Sequence, residues 1–222
     1  MLIVERRLKN EGYNCINITY PSTKHSIENL SDIVHNRLKN DKKYTNADKV
    51  HFVGHSMGGL VTRHIIANSR PDNLGSVVMM GTPNKGSEMA DLAFKNKYLA
   101  KAFRFIFGPA ADQLRTNYEH FDNEVIDYPL GVIASDISLG PIANRVFRAP
   151  NDSLVSVENT KLDGMIDHIV VPSTHIVMTL DPRVINQVTT FLKYGAFNHG
   201  HNMNLLRTNH YKQDLPDEPT LA

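Results

Sequence analysis

The feature that most restricts the fold is an alternation. Short, uniformly apolar runs recur along the chain, separated by stretches with helical spacing. "DKVHFVG" (48–54), "GSVVMMGTP" (75–83), "YPLGVIAS" (128–135) and "MIDHIVVP" (165–172) read as strands, as does "YNCINITYP" (13–21), which is rich in β-formers and ends at Pro21. Strands that are apolar throughout need cover on both faces, which points to an α/β fold: a mostly parallel sheet with helices on both sides. The helices are expected over residues 2 to about 11, stopping near Gly12, and over "SIENLSDIVHNRLKN", with Ser26 as N-cap. Others are expected over "GGLVTRHIIANS", over 89–108 as one helix or two, and over 181–195. The last starts with Asp181 as N-cap and Pro182 behind it, and Gly195 stops it.

Length and charge narrow the function classes. A chain of 222 residues suits a single domain with a sizeable core. Lys plus Arg (24) nearly balances Asp plus Glu (23), so the net charge of +1 gives no reason to expect nucleic acid or an acidic membrane as partner. Cys15 is the one cysteine, read as a small buried hydrophobe, and its isolation suggests a reducing compartment. No apolar run approaches the roughly 20 residues that span a bilayer. The N-terminal "MLIVERRLKNEGY" carries charges where a secretion signal would have its apolar core, so the expected location is cytoplasmic. From Asn198 onward the chain is polar and aperiodic, and residues 198–222 read as a tail. The "HGH" in that tail has no carboxylate or cysteine pair to complete a metal site.

The chemistry centres on "HFVGHSMGGL" (51–60). A strand runs into a helix through Gly-x-Ser-x-Gly, the arrangement that presents a serine nucleophile on a sharp turn. Gly54 and Gly58 are expected to lack side chains because the turn crowds them. Ser56 then stands above the carboxyl ends of the strands, where open α/β sheets bind ligands. The N–H of Met57, at the helix start, is placed to donate to a developing oxyanion.

A serine needs a base, and the base needs an orienting acid. In this architecture the chain order is serine, acid, histidine. His175, in the loop beyond "HIVVP", fits the base. His55 is the variable residue of the turn, and His51 and His64 read as structural. His168 begins a strand, and His199, His201 and His210 lie in the tail. Three carboxylates are candidates for the acid: Asp136, directly after a strand, Asp152 in "APNDSLVSVEN", and Glu158. Position favours Asp152, because Asn-Asp-Ser turn chemistry can hold a carboxylate.

"VHFVGHSMGGLVTR", "GTPNKGSE", "NDSLVSVENT", "IDHIVVPSTHIVM" and "VTTFLKYG" together resemble the α/β-hydrolase superfamily, in particular small lipase-like serine esterases of the bacterial triacylglycerol-lipase type. "NDSLVSV" is similar to the family's acid loop, with Ser153 where glycine is usual and Ser156 where proline is usual. "STH" is similar to its histidine loop. The resemblance thus implies a triad of Ser56, Asp152 and His175, an α/β-hydrolase domain over 1–197, and a lid-like insertion over 84–125. Within that insertion Leu99, Phe103, Ile106 and Phe107 either pack on the core or form an apolar lid.

The family also carries, before the first helix seen here, a strand ending in His-Gly whose loop supplies a second oxyanion N–H. This chain has no His-Gly upstream, so the resemblance implies an N-terminally incomplete domain, a start other than Met1 and impaired activity. The expected function is hydrolysis of a small-molecule or lipid ester through an acyl-enzyme, with no cofactor or metal. The alternatives are a non-catalytic or weakly active hydrolase-like fragment, or a thioesterase or acyltransferase with the same triad.

Overall fold

A computed structural model describes residues 1–118, 125–139, 147 and 149–200. The strands β1 (Val50–His55), β2 (Leu74–Met80), β3 (Leu130–Ser135) and β4 (Asp167–Val171) pair in that order, all parallel. Every residue of β3 is buried, as a strand covered on both faces requires.

The covering helices follow from side-chain alternation along the strands. On one face lie α2 (Ile27–Lys39), α4 (Met57–Ser69), α5 (Glu88–Phe94) and α6 (Lys97–Phe107). Leu30 and Val34 of α2 pack there with Leu60 and Ile65 of α4. On the other face lie α1 (Leu2–Asn10) and α8 (Pro182–Tyr194); Leu8 of α1 and Val188 and Phe191 of α8 meet Val78, Met80 and Ile133 of the sheet. Val77 and Met79, one residue out of phase, join Leu130, Val132 and Ile66 in a third cluster. Two short helices, α3 (Lys42–Thr45) and α7 (Val157–Thr160), complete the described helices, and a 3₁₀ segment, Gly108–Leu114, follows α6.

Three helix caps read from sequence are present. Ser26 accepts from the N–H of Asn29, Asp181 accepts from that of Arg183, and Gly195 ends α8 in the left-handed region at φ 72°. The 89–108 stretch is two helices; Asn96 between them caps the second through the N–H groups of Tyr98 and Leu99.

The segment 13–21 departs from expectation. It is not a strand. Its side chains do divide as a strand's would: Tyr13 and Cys15 reach the cluster of α1 and α8, while Ile16, Ile18 and Tyr20 reach that of α2 and α4. A ladder, however, needs a partner at about 4.8 Å. The segment's backbone bonds lie at its ends, from the N–H of Tyr13 to the carbonyl of Leu8 and from that of Ser22 to Tyr20. A cleft of about 700 Å³ separates it from β1, lined on one side by Cys15, Ile16 and Ile18 and on the other by Phe52, Val53 and Gly54. The N–H groups of Val50 and Ser56 bond to Asn73 and Met80 on the β2 side. By alternation, the backbone groups of His51, Val53 and His55 face the cleft.

Among the described residues no helix is long and apolar enough to cross a membrane. The tail beyond Gly200, with His201 and His210, lies outside the described residues.

Candidate active site

Ser56 sits between β1 and α4 with φ 53° and ψ −129°, a conformation that L-residues adopt only under constraint. The constraint comes from the glycines around it. A Cβ on Gly54 would lie 2.7 Å from the backbone of Gly59, and one on Gly59 would lie 2.0 Å from Thr82 Oγ1. Gly58 has more room, since its nearest contact would be Tyr20 Oη at 3.4 Å. The crowded pair is therefore Gly54 and Gly59, not Gly54 and Gly58. The spacing of five residues, rather than four, arises because β1 and the first turn of α4 cross at those two Cα atoms.

Ser56 occupies the N-cap position of α4, yet its side chain caps nothing. Its Oγ lies instead 2.9 Å from His175 Nε2. His175 Nδ1 lies 2.7 Å from Asp152 Oδ2. His175 and Asp152 are both buried, at 5% and 2% exposure. Donors surround the Asp152 carboxylate: Ser135 Oγ at 3.1 Å on Oδ2, and the N–H groups of Leu154 and Val155 at 3.1 and 2.9 Å on Oδ1. Because this carboxylate accepts from Nδ1–H, the lone pair of Nε2 is left to receive the Ser56 proton. The N–H of Met57, first in α4, points from the positive end of the helix with no intrahelical acceptor.

The other acid candidates stand apart. Asp136 is exposed, and Glu158 pairs at the surface with Lys161 at 2.8 Å and Lys85 at 3.9 Å. His51 accepts the Ser76 N–H, and His168 meets Thr160 Oγ1 at 3.2 Å. His64 contacts Asn68, and His199 contacts Asp167. Among the described residues no group of three or more His, Cys, Asp or Glu side chains has the geometry to hold a metal ion.

Two contributors escape sequence reasoning. Ser135, the last residue of β3, is buried against Asp152; the only signal was a polar residue ending an apolar run. His55, the variable residue of the turn, places its Nε2 2.9 Å from the backbone oxygen of His175.

The apolar cluster of the 84–125 segment divides. Phe103 is buried between Phe94 and Phe107, at centroid distances of 6.2 and 4.4 Å. Leu99 and Ile106 are exposed, together with Tyr98 and Phe105.

A family model described as "alpha/beta hydrolase fold" matches residues 10–150. The chain belongs to the α/β-hydrolase family. A triacylglycerol lipase of Pseudarthrobacter phenanthrenivorans is 49% identical over 47 residues, 21% of this chain and 14% of that one. Triacylglycerol lipase 2 of Saccharomyces cerevisiae is 30% identical over 183 residues, covering 71% of this chain and 55% of that one. The chain thus spans about half or less of these relatives' lengths. Among solved structures, phospholipase PlaB from Legionella pneumophila in complex with thio-NAD aligns with a TM-score of 0.62 at 12% identity, over 95% of this chain and 57% of that one. The propeptide form of Bacillus licheniformis lipase BlEst2 aligns with a TM-score of 0.59 at 21% identity, over 68% and 37%. At these identities the structures speak for the fold, which this α/β hydrolase shares with lipases and esterases.

Proposed function

We propose that this α/β hydrolase cleaves carboxylic esters through a Ser-His-Asp triad. The observation that carries the reading is the unbroken hydrogen-bonded line from Ser56 Oγ to His175 to Asp152, at 2.9 and 2.7 Å. Ser56 Oγ attacks the ester carbonyl carbon as its proton passes to His175 Nε2. The tetrahedral oxyanion takes a hydrogen bond from the Met57 N–H. As the intermediate collapses, the C–O bond to the alcohol breaks and His175 returns the proton to it. Water then attacks the acyl-Ser56 ester by the same route, releasing the acid and restoring Ser56. Asp152 orients the imidazole and stabilises its charged form.

Lipase relatives support an ester as substrate. The exposed apolar face of Tyr98, Leu99, Phe105 and Ile106 supports reading 84–125 as a lid-like insertion of a hydrolase domain over 1–197. The cleft along β1 favours a second reading, a weakly active or non-catalytic hydrolase-fold protein, because it leaves the nucleophile's own strand paired on one edge only.

A fluorophosphonate probe separates the two. Covalent labelling that disappears in Ser56→Ala is expected, with hydrolysis of p-nitrophenyl esters falling by about 10⁴-fold or more. Well-folded protein that takes no label rules out the enzyme. Esters of increasing chain length, and the matching thioesters, then define the acyl group and leaving group.

A further inference from the structure

His55 is the last residue of β1 and the immediate neighbour of Ser56. Its Nε2 is 2.9 Å from the carbonyl oxygen of His175, and the two rings lie 5.0 Å apart, tilted by 44°. A carbonyl oxygen can only accept, so the hydrogen is on His55 Nε2. Burial, reinforced by the nearby His175, pushes the His55 imidazole down to about 4, so at neutral pH it remains a neutral, single-tautomer donor.

The main chain around His175 is also anchored by Met178, fully buried with Val78 and Met80, and by the Arg183 side chain on the Pro172 carbonyl, but among the described residues no other hydrogen bond reaches its backbone from β1. It lies in irregular backbone between β4 and α8, and the next residues, Ile176 and Val177, are 76% and 45% exposed. The bonds from the Val177 and Met178 N–H groups to Thr174 stay within the loop. The bond from the Ile137 N–H to the Ser173 carbonyl ties the loop to the chain after β3. Asp152 likewise holds the imidazole from the β3 side, through Ser135. The contact from His55 is of another kind: it runs from the nucleophile's own strand to the backbone of the base.

We infer that His55 is a positioning residue, which ties the His175 carbonyl to β1 and so sets the separation of Ser56 Oγ and His175 Nε2. The inference rests on the serine-hydrolase reading and deepens it. Without the His55 bond, no hydrogen bond would tie the backbone of the base to the strand that carries Ser56, and the base could shift relative to Ser56. Displacements near 1 Å in such a pair cost on the order of 100-fold in rate.

Two variants of the full chain test it. His55→Phe keeps a ring of similar size and removes the donor; His55→Gln keeps an N–H donor at comparable reach. Two readouts apply: the rate of fluorophosphonate labelling, with kcat and KM on p-nitrophenyl butyrate, and amide hydrogen exchange over residues 173–180. For His55→Phe we expect labelling and kcat to fall about 10- to 100-fold with KM nearly unchanged. Exchange should quicken in 173–180 and not in β2 or β3. His55→Gln should recover most of both. If His55→Phe labels within twofold of wild type and leaves exchange in 173–180 unchanged, or if Gln behaves as Phe does, the inference is overturned. If wild-type protein itself takes no label, the hydrolase reading fails, and the exchange comparison still decides whether His55 holds the loop.

Discussion

At the scale of single residues, the site depends on backbone that few side chains tolerate. Besides Ser56, Ser153 is the one other described non-glycine residue at positive φ, at 81°. It stands where the family's acid loop usually has glycine. Its Oγ accepts from the Leu139 N–H at 2.6 Å, which offsets part of the strain. We therefore expect Ser153→Gly to change stability by less than about 1 kcal/mol, as relief of strain cancels a lost hydrogen bond. Ser153→Val should cost about 2–3 kcal/mol, because it adds a β-branch to the left-handed region and also removes Oγ. Urea unfolding of the three proteins checks both values. Ser135 belongs to the same loop's function. Its hydroxyl is one of the donors on Asp152, and Ser135→Ala should lower kcat by roughly tenfold while leaving KM unchanged, measured on the ester that the panel identifies.

At the scale of elements, β1 decides what the site rests on. Its β2 edge is paired from Val50 to His55, with one shift of register between Val50 and Phe52, while its other edge faces the cleft. Native-state hydrogen exchange should therefore alternate along the strand. The amides of Phe52 and Gly54 should be protected at least about tenfold more than those of His51, Val53 and His55. Uniform protection would mean that the edge is closed in solution. This element also marks the limit of what sequence showed. β1 to β4 and the long helices were legible because their apolar periodicity and caps are local signals: Ser26, Asp181, Pro182 and Gly195 each act within one turn. "YNCINITYP" has an equally good local signal, and its side chains do face both helical layers. It is not a strand because pairing is a property of two segments, and the second one lies across a cleft.

At the scale of the whole molecule, a part-buried imidazole and a helix-capping carboxylate link stability to pH. The His55 imidazole titrates near 4 in the folded protein, against 6.5 for an ordinary histidine. Between those values the unfolded chain binds more protons, so the contribution of a neutral His55 is complete above about pH 6.5 and is lost as pH falls toward 4. Asp181, held down to about 2 chiefly by its hydrogen bond from Arg183, adds a second loss below the ordinary value of 3.8. Thermal melts from pH 7 to pH 3 should show both declines. His55→Gln should flatten the upper one alone, so that its stability approaches that of wild type as the pH drops toward 4.

Sequence by itself determined four strands of the sheet, their parallel direction, and Ser56 and His175 of the proposed triad, because apolar periodicity, chain order and turn chemistry are local signals. Tertiary structure decided the rest. It buries the Asp152 carboxylate among donors beside His175 and leaves Asp136 and Glu158 exposed. It moved the crowding from Gly58 to Gly59, because only the crossing of β1 and α4 shows which Cα atoms meet. It also joined His55 to His175, residues 120 positions apart, through a hydrogen bond that no spacing along the chain encodes.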